Sequence, residues 1–178
     1  MKKIVIYKSK TGFAEKYAEW IAKALECEAE ELKNISSKKL QDYDIIIYGG
    51  GVMASMIYDM KKIKGLHAQL PSKKWIIYAT GMTSGDDQGN YDNLKKTNLS
   101  DGLENVPFFY FQGGLNYEKM GFMAKKMLGM VGNALAKKED KTEEEAELAK
   151  NFSSSSDASD VKFIEPLIAC VKEQEAIL

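Results

Sequence analysis

Four short apolar runs punctuate the chain: Ile4-Val5-Ile6-Tyr7, Ile45-Ile46-Ile47-Tyr48, Trp75-Ile76-Ile77-Tyr78-Ala79 and Phe108-Phe109-Tyr110-Phe111. Each is continuous rather than alternating, and each is rich in β-branched or aromatic residues. Strands covered on both faces read this way, as in the interior of a parallel sheet. Ala29-Glu30-Glu31-Leu32 is more polar and is expected as a strand at a sheet edge.

Helical periods fall between these runs. Ala14, Ala18, Ile21, Ala22 and Leu25 recur at helical spacing, with Glu15, Lys16, Glu19 and Lys23 between them, which predicts an amphipathic helix lying on the sheet. Further helices are expected over about 54–66 and about 90–97. Ile164, Leu167, Ile168 and Val171 form a last apolar stripe, and Pro166 suits the first turn of that helix, where no amide donor is needed. Alternating strands and helices predict a mostly parallel, five-stranded α/β sheet with helices on both faces. Ligands of such sheets bind at the carboxyl ends of the strands, where the strand order reverses.

The stretch 113–162 departs from this rhythm. About 50 residues are more than a connection between a last strand and a last helix needs, so the stretch reads as an insertion with helices of its own before the last helix. It contains a methionine-rich segment, an acidic run from Glu139 to Glu145, and Ser153-Ser154-Ser155-Ser156, expected as a mobile loop. With 178 residues the chain suits one domain, 1–178, carrying that insertion.

Composition narrows the function. A net charge of −1 argues against nucleic-acid binding and against the strongly acidic surface of a small electron carrier. Cys27 and Cys170 have no metal-binding or redox spacing and are expected as reduced thiols. The single histidine, His67, rules out a multi-histidine metal site and reads as a helix-end residue. No signal peptide or membrane span is expected, so the expected location is the cytoplasm, at most peripheral to the inner face of the membrane. No metal site and no acid–base catalytic residue stands out.

The chemistry lies in the turns after the strands. After the first comes Ser9-Lys10-Thr11-Gly12-Phe13-Ala14, then a helix. Unpaired amides at a helix start carry partial positive charge and bind phosphate where the loop lets it approach. Gly12 permits that approach, Ser9 and Thr11 offer hydroxyls, and Lys10 a charge. A simple capping turn is the other reading of the loop alone. The spacing matches neither a dinucleotide fingerprint nor a triphosphatase loop. Gly49-Gly50-Gly51-Val52-Met53-Ala54-Ser55 follows a second strand, and Thr80-Gly81-Met82-Thr83-Ser84-Gly85 a third. Glycines there allow close backbone approach by a flat ring. A phosphate loop beside two ring-clasping loops is the layout of a mononucleotide pocket.

This layout resembles flavodoxins, whose first loop follows Thr/Ser-x-Thr-Gly-x-Thr; here Ala14 stands where the last hydroxyl would be. The segment Phe111-Gln112-Gly113-Gly114-Leu115-Asn116-Tyr117 and the insertion after it more narrowly resemble the flavodoxin-domain group that includes the quinone-linked protoporphyrinogen dehydrogenase. The likeness runs over most of the chain and degrades after about residue 137. It implies the flavodoxin-like strand order 2-1-3-4-5. It also implies FMN, with the phosphate on residues 9–14 and the isoalloxazine between Gly50, Gly51, Val52, Met53 and Ala54 on one side and Thr80, Gly81, Met82 and Thr83 on the other. The 50s loop offers Met53 and Met56, with Tyr58 farther on, where many flavodoxins stack an aromatic.

Met120, Met123, Met127 and Met130 fall near helical spacing. Either that helix packs its apolar side onto the domain, or it exposes an adaptable face for a partner, a large apolar substrate or a membrane surface. In the second case it is expected to border the flavin edge. The resemblance thus implies an oxidoreductase passing electrons from an apolar reduced substrate, porphyrinogen-like, to a quinone. An electron carrier between protein partners is the alternative, and a flavodoxin fold that has lost FMN is a third reading, prompted by Ala14.

Overall fold

In strand β1 (Lys3–Lys8), Ile4, Val5 and Ile6 lose all solvent exposure. Side chains alternate across a strand, so Ile4 and Ile6 enter the core on one face and Val5 on the other. The same two-sided burial recurs in β3 (Ile45–Met53) and β5 (Lys74–Gly81) and explains why these runs do not alternate. The structure, a computed structural model, describes residues 1–137 and 155–176. The acidic run, Ser153 and Ser154 lie outside the described residues.

β2 (Glu28–Glu31) and β6 (Phe108–Gln112) complete a sheet of order β2-β1-β3-β5-β6, with every neighbouring pair parallel. This is the expected 2-1-3-4-5 order, and the polar segment takes the edge. The hairpin strand β4 (Met56–Ile57) lies off that path, antiparallel to the end of β3.

Helix α1 (Phe13–Ala24) buries Phe13, Ala14, Tyr17, Ala18, Ile21 and Ala22, and shares one face of the sheet with α6 (Glu165–Ala176). Pro166 sits in the first turn of α6. On the other face a short α2 (Ser37–Leu40), α3 (Met60–Gln69) and α4 (Gln88–Asn98) supply Leu40, Ile63, Leu66 and Leu94. Each such buried aliphatic side chain contributes about 1.5–3 kcal/mol. His67, in the last turn of α3, packs edge-on against Trp75 at 5.7 Å. Cys27 and Cys170 are free and half-buried; burial pushes the Cys27 thiol up to about 11, so it stays protonated near neutrality.

Three expectations are corrected. Residues 54–59 are not helical: Ala54 and Ser55, both with positive φ (50° and 61°), make a two-residue turn that pairs Val52 with Ile57 and Met53 with Met56. Such tight turns match the strand twist. The buried Asn98 holds the hairpin from α4, its Oδ1 accepting from Ile57 N at 2.9 Å and its Nδ2 donating to the Ser55 carbonyl at 2.9 Å. Next, Ser156 and Asp157 are not loop but form β8 (Ser156–Asp157), antiparallel to β7 (Gly114–Leu115).

Last, Gly50 and Gly51, expected in a loop over residues 50–55, continue β3 beyond Gly49. Gly49 is paired with Tyr78, and a Cβ there would stand 1.8 Å from Tyr78 Cζ. The Tyr78 ring passes over this bare backbone, and its hydroxyl donates to the Ala14 carbonyl at 2.8 Å. Gly49→Ala should therefore destabilise the fold by about 2–3 kcal/mol through overpacking, measured by urea unfolding; a loss below about 0.5 kcal/mol would show that Tyr78 can yield.

Candidate functional site

The loop from β1 to α1 is held from within: Ser9 Oγ accepts from the Gly12 amide at 3.0 Å. Gly12 has φ of 100°, a conformation that a side chain would strain. It is the N-cap residue of α1, and no side chain caps the helix among the described residues. The Lys16 amide reaches back to the Gly12 carbonyl at 2.9 Å, and the first-turn amides ahead of it have no helical partner. Ala14 is buried and offers this turn only its backbone. The first turn of α1 thus leaves its amides open to an anion, with no side-chain cap in the way.

Beside it opens a cavity of about 440 Å³, in the range of small-molecule sites. Lys10, Thr11 and Phe13 line it from the first loop, Gly51, Val52, Met53 and Ala54 from the hairpin, and Thr80, Gly81 and Met82 from the end of β5. These three segments converge. Five of the expected residues lie off this wall. Gly12 lines an adjoining cavity of about 460 Å³, together with Thr11, Lys16 and Asn116. Ser9 and Ala14 shape the loop from behind, and Gly50 is buried beneath Ile57. Thr83 is exposed, and its carbonyl accepts from the Tyr110 hydroxyl at 3.0 Å.

Several lining residues were not expected. Tyr58 enters because the hairpin folds it back: its ring stands 3.2 Å from where a Gly51 Cβ would be, and its hydroxyl donates to Met53 Sδ at 3.5 Å. The Lys10 ammonium lies 4.3 Å from the Tyr58 ring centroid. Burial raises the Tyr58 phenol above its ordinary range. The hairpin itself was the missing signal, since a strand continuing to Met53 directs Tyr58 toward the first loop. Tyr91 instead packs on Phe108, its hydroxyl donating to the Phe108 carbonyl at 2.9 Å.

The fourth wall is α5 (Phe122–Ala136), the methionine-rich helix. Ala124, Met127, Leu128 and Val131, spaced i, i+3, i+4 and i+7, face the cavity. Phe122, Met123 and Met130 remain 79%, 73% and 65% exposed. The helix therefore borders the cavity with one stripe and leaves another open. Met53, Met123, Met127, Met130 and Lys126 outline a further groove of about 390 Å³.

The β7–β8 clasp closes the base of this insertion. Lys16 Nζ donates to Asp157 Oδ2 and to Ser159 Oγ, each at 2.8 Å. Tyr17 donates to the Gln112 carbonyl at 2.5 Å and accepts from the Asp160 amide at 3.3 Å. Partial burial pushes the Asp157 carboxyl up, but Lys16 and Ser159 outweigh it and hold it down at about 2. Among the described residues there is no cluster fit to hold a metal ion and no helix long and apolar enough to cross a membrane. The arrangement suits a planar, largely apolar ligand with an anionic end.

The profile of a family described as Flavodoxin domain matches residues 4–143. Among solved structures, oxidised flavodoxin 1 from Bacillus cereus is 17% identical, with 63% of this chain and 84% of that chain covered and a TM-score of 0.48. Oxidised flavodoxin 2 from Bacillus cereus is 19% identical over 86% of this chain and 95% of that one, with a TM-score of 0.46. Two-electron reduced Megasphaera elsdenii flavodoxin is 19% identical over 61% and 82%, with a TM-score of 0.42. No curated protein matches the chain.

The clasp carries a pH signature. A carboxyl depressed from 3.8 to about 2 stabilises the folded state fully above about pH 4, and this contribution is lost as pH falls through about 2. Trp20 reports it, since Lys16 Nζ lies 5.1 Å from its ring centroid. In acid titrations followed by tryptophan fluorescence, Asp157→Asn should lack a component that the wild type shows between about pH 4 and 2. Identical titrations would mean that the pair does not hold the clasp.

Proposed function

The chain belongs to the flavodoxin domain family, whose members bind FMN and transfer electrons, and from that membership we propose that it is an FMN-dependent oxidoreductase of the protoporphyrinogen-dehydrogenase type. It takes electrons from an apolar, porphyrinogen-like reduced substrate and passes them to a quinone. One observation carries this reading beyond electron carriage: the wall opposite the ring-clasping loops is a stripe of aliphatic side chains on α5, which gives an apolar molecule a place beside the cofactor.

The residues fit the group. The uncapped start of α1 and the Thr11 hydroxyl suit the phosphate, with Gly12 leaving the approach open. Val52, Met53 and Ala54 and, from a second segment, Thr80, Gly81 and Met82 line the cavity that would hold the ring. Tyr58 supplies an aromatic surface for it, steadied by Lys10. When bound, FMN supplies reversible uptake of one or two electrons, and the protein orients it and sets its environment. The apolar stripe of α5 excludes water from the exposed edge. Among the described residues lining the cavity there is no carboxylate and no imidazole, and the substrate's protons leave to solvent or with the acceptor.

The open stripe of Phe122, Met123 and Met130, with Lys126 among them, suits contact with the surface of the membrane in which a quinone is dissolved. The location in this reading is the cytoplasm, at the inner face of that membrane. Carriage between protein partners is the competing reading, favoured by the exposure of Met53, which lines the cavity, and of its hairpin partner Met56.

Purified protein should be yellow and release FMN on denaturation. Incubated anaerobically with reduced porphyrinogen and menaquinone in lipid vesicles, it should raise porphyrin fluorescence at a rate proportional to protein. A flavin-loaded protein that leaves the porphyrinogen untouched but is rapidly reduced by a flavodoxin reductase would be a carrier instead.

A further inference from the structure

Lys119 lies on the segment that leads from β7 into α5, yet its ammonium hangs over the first loop. Its Nζ is 3.6 Å from the point that a Cβ on Gly12 would occupy. It lines both the large cavity and the adjoining one at the start of α1. The segment is tied to that loop: Asn116 Nδ2 donates to the Thr11 carbonyl at 3.2 Å, and Asn116 Oδ1 accepts from the Lys119 amide at 3.2 Å. The two other lysines near the helix start are engaged elsewhere, Lys10 over the Tyr58 ring and Lys16 on Asp157 and Ser159. Ala14, in the same turn, has no hydroxyl to offer.

We propose that Lys119 is the counter-ion of the cofactor phosphate, supplied by the insertion in place of a hydroxyl at position 14. The inference rests on the FMN reading above and adds to it a coupling: the bound cofactor strengthens the hold of residues 116–119 on the first loop. A phosphate monoester carries close to two negative charges near neutrality. A helix start neutralises part of that charge, and a charge-assisted hydrogen bond from an ammonium adds to it. Because Lys119 is exposed, the attraction is screened by salt. The phosphate then adds a second tie between residues 116–119 and the first loop, beside the Asn116–Thr11 hydrogen bond.

The test uses the full chain stripped of flavin, titrated with FMN and with riboflavin, which lacks the phosphate, at low and high salt. Wild type, Lys119→Ala and Lys119→Arg are compared by flavin fluorescence. Lys119→Ala should bind FMN about tenfold more weakly or worse, with riboflavin affinity unchanged and the salt dependence of FMN binding reduced. Lys119→Arg should keep most of the affinity. FMN should slow proteolysis of the insertion in wild type and do so less in Lys119→Ala. Unchanged FMN affinity in Lys119→Ala would overturn the proposal. So would equal losses for FMN and riboflavin, which would mark a structural role. A wild type that binds neither flavin would instead bring down the cofactor reading itself, and this inference with it.

Discussion

The site depends on one buried contact. Tyr78 crosses β3 over the bare backbone of Gly49, and its hydroxyl holds the carbonyl of Ala14 in the first turn of α1. Burial drives the Tyr78 phenol well above its ordinary range, so it remains a donor at any physiological pH. Breaking such a bond leaves the phenol hydroxyl buried without its partner, at a cost of about 1–3 kcal/mol, while the Ala14 carbonyl keeps its place in the helical ladder. The contact fixes where α1 begins relative to the carboxyl edge of the sheet. That position decides where the uncapped amides point, and so where an anion can sit.

A second tyrosine ties this helix to the insertion. Tyr17 bonds to the Gln112 carbonyl and the Asp160 amide, while Lys16, one residue earlier, grips Asp157 and Ser159. One helix thus presents open amides at its first turn and holds both ends of the clasp. The apolar stripe of α5 faces the cavity because the clasp sets where the insertion starts and returns.

The sheet was legible because two-sided burial leaves an unmistakable run such as Ile45-Ile46-Ile47-Tyr48. The turn from β1 into α1 was legible because a glycine and hydroxyls stand between an apolar run and a helical period, although those residues serve a capping turn as well as an anion site. Gly49 was misread because a bare backbone looks the same in sequence whether a ligand or a tyrosine ring lies on it. The hairpin was missed because Ala54 and Ser55 do not advertise positive φ, and because Asn98, which holds it, is more than 40 residues away. Tyr58 went unassigned for the same reason. The period of α5 was legible, but the stripe that faces the cavity depends on the pairing of Gly114 and Leu115 with Asp157 and Ser156, which no local pattern encodes.

In the proposed reading the start of α1, opened by Gly12, cradles the FMN phosphate, and the decisive measurement is FMN titration of Gly12→Val with circular dichroism to monitor the fold. Valine at a φ of 100° both strains the loop and blocks the approach. The account predicts a folded protein that no longer binds FMN. A folded variant that takes up FMN with wild-type affinity would contradict it.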